Sequence, residues 1–245
     1  MLLSWKHNFL FIHVAKTGGT ALTQALTPFA RFEDRLAYSG FGVPGVKRVL
    51  ALTSHGVDPI EKYTGSHAHI RYREIIQRFD RNAIDELFKI AIVRNPFTRT
   101  YSLYSHLCRA EVHPWHPLVK GKSFPDVLPM MIEKGWLLQA PFFCLDSQSD
   151  VRMDYVGAME TLADDAAYIA DRLKLGRTLK LPRVNTDPQT APDLSPLFEA
   201  SMDAFLDALR GEFELFGYST DIALAHEPPE GGVIACSPEQ REKAR

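Results

Sequence analysis

One segment constrains this chain more than any other: FLFIHVAKTGGTAL, residues 9–22. Phe9 to Val14 is a short run of β-favouring residues, the pattern of a strand buried in a parallel sheet. The run stops at Lys16, Thr17, Gly18, Gly19 and Thr20, and an apolar pattern restarts that predicts a helix over Thr20–Ala25. A strand that turns through glycines into a helix points backbone N–H groups at one spot, where the helix dipole adds positive field. Gly18 and Gly19 let the backbone approach an anion with no Cβ in the way. Lys16 adds a point charge, and Thr17 and Thr20 add hydroxyl donors. The expectation is a cradle for phosphate or sulfate.

The rest of the chain repeats the strand–helix alternation. RVLALTS (48–54) is a strand candidate, YTGSHAHI (63–70) holds another, and RYREIIQRF (71–79) reads as helix. FKIAIV (88–93) is the most strand-like run, and Pro96 is placed to open a helix from Phe97 to about Arg109. Residues 111–145 are aromatic and proline-interrupted, an insertion carrying short helices. DYVGAME (154–160) predicts a short strand and TLADDAAYIADRLKL an amphipathic helix. LPRVNTDPQTAPD is a loop. SPLFEASMDAFLDALRGEFELFGYS follows as a helix with Ser195 as its N-cap. The fold class is therefore α/β with a mostly parallel sheet. We read one domain over 1–224 and a poorly ordered tail over 225–245.

Composition narrows the function. The 245 residues carry a net charge of −2 and no long charge run, which argues against a dedicated nucleic-acid binder. The three cysteines, Cys108, Cys144 and Cys236, are odd in number and widely spaced, so no disulfide framework is implied. No apolar run has membrane-spanning length, and the start lacks a secretory signal pattern. These features read as a soluble protein of a reducing compartment.

A second motif is VRNPFTRTYSLY, residues 93–104. Arg94 stands at a strand end and Ser102 lies eight residues on, in the helix after Pro96. A guanidinium fork and a hydroxyl so placed would converge on one tetrahedral anion. The nucleotide loop of metal-dependent NTPases wants glycines five and one residues before its lysine. Phe11 and Ala15 stand there instead, and FKIAIV ends in Arg94 where a metal-holding aspartate would be expected.

Together the two motifs resemble those of the sulfotransferases that use 3′-phosphoadenosine 5′-phosphosulfate. FIHVAKTGGTAL resembles their 5′-phosphosulfate loop and VRNPFTRTYSLY their 3′-phosphate motif. The nearest likeness is to the carbohydrate-type and bacterial branch, whose loop reads Pro-Lys-Thr-Gly-Gly-Thr; Ala15 departs from that proline. VGAMETLADD, LPRVNTD and EFELFGYS resemble later family segments, so the likeness runs over residues 8–219. It implies a three-layer, P-loop-like α/β domain whose central sheet is flanked by helices. It also implies a donor site in which Lys16, Thr17, Gly18, Gly19, Thr20 and Ala21 hold the 5′ end and Arg94 and Ser102 the 3′-phosphate. Lys16 would meet the charge that builds on the leaving phosphate, and no metal is expected. In SHAHIRYREI (66–75) the second histidine resembles the base of the glycan 2-O-sulfotransferases. By that match His69 is the base candidate, and His67 supports it or orients the acceptor.

The predicted product nucleotide is 3′-phosphoadenosine 5′-phosphate, and the predicted acceptor is a carbohydrate-like or small molecule. A cytoplasmic, bacterial-type enzyme is expected, with residues 111–145 on the acceptor side. His106, Cys108, His113 and His116 do not match the common zinc spacings; with Trp115, Trp136, Phe142 and Phe143 they line the acceptor cleft or pack. Two alternatives stay open: a nucleotide kinase or NTPase, and a module that binds nucleotide without catalysis.

Overall fold

The computed structural model of the chain describes residues 1–30, 69–145, 150–182 and 193–231. Among them a four-stranded sheet runs in the order β1 (Leu2–Ser4), β2 (Phe9–Ile12), β3 (Phe88–Val93) and β4 (Tyr155–Ala158). β2 pairs in parallel with β3, with Phe11 opposite Ile90, and β3 in parallel with β4, with Ile92 opposite Gly157. β1 joins the edge antiparallel to β2. It was not anticipated, because three apolar residues before a charged turn carry too little pattern to mark a strand. The RVLALTS segment and residues 63–68 of the next strand candidate lie outside the described residues.

Side chains alternate across the sheet, as the two-residue strand period requires. Phe9, Phe11, Ile90 and Ile92 face one core, shared with Leu22 and Leu26 of α1 (Gly19–Leu26) and with Leu162 and Ile169. The last two belong to α7 (Leu162–Arg172), counted after the helices of the opposite face. Leu10, Ile12, Ala91 and Val93 face a larger core. That core is covered by α2 (Tyr72–Arg78), α3 (Arg81–Asp85), α4 (Pro96–Arg109), α5 (His116–Val119) and α6 (Phe124–Glu133), and by the C-terminal helices. Helix, sheet, helix: the three-layer α/β arrangement stands. No helix among the described residues is long and apolar enough to cross a membrane.

The C-terminal helix differs from expectation. It is divided into α8 (Ser195–Phe198), a 3-10 turn over Glu199–Ser201, and α9 (Met202–Phe216). Ser195 is the first helical residue, not the cap. Pro196 favours the first turn, and the Asp193 carboxylate accepts the Ser195 N–H at 3.0 Å. Tertiary packing holds the pieces: Phe198, Phe205 and Phe213 surround Phe97 with ring centroids 5.1–5.2 Å away. α9 ends at Gly217, whose φ of 70° places it in the left-handed region. Packing continues beyond α9 as well. Ala225 is buried, and the Glu230 N–H donates to the Gly217 carbonyl at 2.8 Å.

Candidate functional site

Ligands of parallel α/β sheets sit beyond the carboxyl ends of the strands. Here β2, β3 and β4 end at Ile12, Val93 and Ala158, side by side. The next residues carry Lys16, Arg94 and Glu160, so the sheet brings together three segments far apart in sequence.

The loop after β2 is shaped by its backbone. Lys16 and Gly18 take φ values of 69° and 75°. For a lysine that conformation costs about 1 kcal/mol or more. Left-handed residues close to a helix start form a concave nest of N–H groups. The N–H groups of Gly19 and Thr20 have no partner within α1, and no side chain caps the helix. Ala21 differs: its N–H already donates to the Gly18 carbonyl at 3.0 Å. Thr17 differs too. It is fully buried and its hydroxyl donates to the Val14 carbonyl at 2.9 Å, which closes the loop. Thr20 is exposed.

Arg94 joins the two motifs. Its guanidinium donates to the Lys16 carbonyl at 3.4 Å, and its Nε donates to the Thr98 hydroxyl at 3.0 Å. Thr98 and half-buried Ser102 are four residues apart on α4 and share a helix face, so Ser102 stands one turn beyond the residue that holds Arg94. Burial, then the positive charges of Arg109 and Arg94, lowers the Lys16 pKa. Neither Lys16, Arg94 nor Arg109 has an ion pair among the described residues. The Glu160 carboxylate acts on Arg94 and opposes the fall that burial imposes on its pKa; three cations against that carboxylate leave a positive surplus that favours an incoming anion.

His69 lies against the floor of this loop. Its Nδ1 is 2.8 Å from the His13 carbonyl, and its ring meets the His13 ring edge-on at 4.7 Å. A carbonyl only accepts, so Nδ1 carries the proton and Nε2 of the neutral ring keeps the lone pair. The residue as a whole is exposed, but this side of the ring is shielded. Desolvation is the largest effect on it and lowers its pKa, partly offset by the bond to His13. His67 lies outside the described residues.

Five further residues shape the site, and none was among the candidate site residues read from sequence. His13 is buried beneath Gly19, with its Nδ1 unpartnered and its pKa pushed down to about 2, first by burial and then by His69. Arg99 is only 2% exposed. Its Nε donates to the Ala15 carbonyl at 3.0 Å and its Nη1 to Leu137 at 2.6 Å. Gln139 brackets the Arg94 peptide, and Glu212 holds Gln139. A signal for Arg99 and Glu212 existed: each is a charge on an otherwise apolar helix stripe, with Leu103 and Leu107 or with Phe205, Leu209 and Phe216. Gln139 left none. Glu160 accepts the Asn95 N–H at 3.0 Å and the Tyr218 hydroxyl at 2.7 Å, so one oxygen holds the loop after β3 and the other the chain after α9.

The aromatic segment after α4 divides. Trp115 and Trp136 are half-buried and stack at 3.9 Å. Phe143 is core, and His116 is buried with Nδ1 against the Leu107 carbonyl at 2.8 Å. No group of three His, Cys, Asp or Glu suited to a metal occurs among the described residues.

These features define a three-layer α/β protein with cationic side chains gathered at the carboxyl ends of its parallel strands. The model of the Sulfotransferase family matches residues 1–219, and the chain belongs to that family. No curated protein and no solved structure matches.

Proposed function

We propose that this chain moves a sulfuryl group from 3′-phosphoadenosine 5′-phosphosulfate to a hydroxyl of a small or carbohydrate-like acceptor, in the cytoplasm. The observation that carries the reading is the bond from Arg94 to the Lys16 carbonyl. It sets a 3′-phosphate-type arginine beside a 5′-phosphosulfate-type loop.

In this reading the loop N–H groups and Lys16 face the 5′ end, and Arg94 and Ser102 take the 3′-phosphate. The acceptor oxygen attacks sulfur in line as the bond from sulfur to the bridging phosphate oxygen breaks. The acceptor proton passes to His69 Nε2, and the electron pair of the broken bond stays on the nucleotide. Lys16 and the N–H groups of Gly19 and Thr20 meet that developing charge. Metal-assisted phosphoryl transfer is disfavoured on this chain's own residues. Among the described residues, Glu160 is spent on Asn95 and Tyr218, and Asp165 on Tyr155, Ala158 and Thr161.

The test is a thermal-shift titration with 3′-phosphoadenosine 5′-phosphate against AMP, ADP and ATP–Mg²⁺, since a ligand of the folded state raises the melting temperature. Strong stabilisation by the 3′-phosphorylated nucleotide, lost in Arg94→Ala, is expected. Stabilisation by ATP–Mg²⁺ instead would replace this reading with a kinase.

A further inference from the structure

Arg94 sits one residue past the end of β3, where no strand among the described residues pairs with it. Its backbone is paired all the same. The Arg94 N–H donates to Gln139 Oε1 at 3.0 Å, and Gln139 Nε2 donates to the Arg94 carbonyl at 2.9 Å. A fully buried side-chain amide thus takes the place of a strand, binding the backbone donor and acceptor of one residue together. The amide is itself oriented from behind. Glu212 Oε1 accepts the N–H groups of Gln139 and Ala140 at 2.6 and 2.7 Å, and Oε2 accepts Gln139 Nε2 at 3.3 Å. An amide that must donate to two acceptors and accept from one N–H has a single fitting orientation.

We infer that Gln139, held by Glu212, is the positioning residue for Arg94 and so sets the preference for a 3′-phosphorylated nucleotide. The inference rests on the donor reading above. The guanidinium of Arg94 is otherwise held through Thr98 and the Lys16 carbonyl, both on its side-chain end. Its backbone end is aimed by Gln139. The same short strap, residues 137–140, also receives Arg99, which ties it to Ala15 in the cradle. Arg94 and the cradle are therefore referred to one strap, and their separation is set by it. Gln139 never touches the nucleotide in this arrangement; it acts through Arg94.

The variant is Gln139→Met, close in volume and unable to bracket the peptide. Affinities for 3′-phosphoadenosine 5′-phosphate and for AMP are measured by calorimetry on wild type, Gln139→Met and Arg94→Ala. Wild type is expected to prefer the 3′-phosphorylated nucleotide. In Gln139→Met that affinity should fall by about 10–100-fold, the scale of a misplaced charge-assisted contact, while AMP affinity changes by less than about threefold. The KM for the sulfated donor should rise more than kcat falls. Equal weakening of both nucleotides would mean a merely structural residue, and an unchanged preference would mean Arg94 needs no bracket; either overturns the inference. If Gln139→Met does not fold, Glu212→Gln is read the same way, because its new NH₂ would oppose Gln139 Nε2 and turn the amide. A wild type with no 3′-phosphate preference would overturn the donor assignment and this inference with it. A wild-type preference that the variants retain overturns the bracket alone.

Discussion

Gly18 and Gly19 are adjacent and are glycine for different reasons. Gly18 holds φ at 75°, where a Cβ would also strike Met159 and Leu162. Gly19 has helical backbone, but a Cβ there would overlap the buried His13 ring. Gly19→Ala should therefore cost about 1–3 kcal/mol as overpacking, roughly 2–10 °C in a chain of this size. Thermal denaturation of the unliganded protein checks it, and an unshifted melting temperature would mean the ring moves freely. His69 presents the other residue-scale case. Loss of the base should lower turnover by ~10²–10⁴-fold in His69→Ala. Because shielding favours the neutral ring, the acid limb of kcat should fall below the free-imidazole value of about 6.5. Near-normal turnover in the variant, or a limb well above that value, would remove His69 from the mechanism.

Helix α4 does three things at once, and its sequence explains each. Asn95 caps it by accepting the Phe97 N–H at 3.0 Å, and Pro96 opens its first turn. One face carries Thr98, which accepts from Arg94, with Ser102 one turn further along. The buried face carries Leu103, Leu107 and Arg99, whose guanidinium reaches both the cradle and the 137–140 strap. Burial lowers the Arg99 pKa to about 10, and the nearby Glu212 opposes that fall, so Arg99 stays charged. Arg99→Met would leave Glu212 buried without its nearest cation, and the Ala15 and Leu137 carbonyls without their donor. A loss of about 2–5 kcal/mol is expected in a denaturant titration, from two shielded carbonyls left without their charged donor. A loss below about 1 kcal/mol would mean that the strap and the loop are held by other contacts.

For the whole molecule, the buried histidine predicts how stability depends on pH. His13 has a folded pKa of about 2 and an ordinary value near 6.5 when unfolded. Below about 6.5 the unfolded chain takes up a proton that the folded chain refuses. The stability held above that pH is therefore lost as pH falls toward 2, at up to about 1.4 kcal/mol per pH unit. Glu160, Asp165 and Glu212 oppose the trend at lower pH, since burial raises their pKa and the folded state binds their protons first. The difference between wild type and His13→Leu isolates the histidine. Between about pH 7 and pH 5 the variant's stability should fall with a slope shallower by nearly one proton. Parallel curves would show that His13 is protonated in the folded protein.

The order of the described elements and the two motifs proposed to bind the donor were legible in sequence because they are local. FKIAIV is β3 over its whole length, and a strand, two glycines and a helix start lie within fourteen residues, as do Arg94 and Ser102. Period, turn chemistry and helix spacing are all short-range physics. The tertiary structure alone decided how the motifs are aimed. Gln139 lies 45 residues from Arg94, Glu212 lies 73 from Gln139, and Arg99 lies 84 from Ala15. Buried polar groups must find partners wherever the packed chain offers them, and no periodicity in the sequence records which distant carbonyl or amide that will be. The antiparallel edge strand and the divided C-terminal helix escaped for the same reason. Each is held by packing against residues elsewhere in the chain rather than by its own pattern.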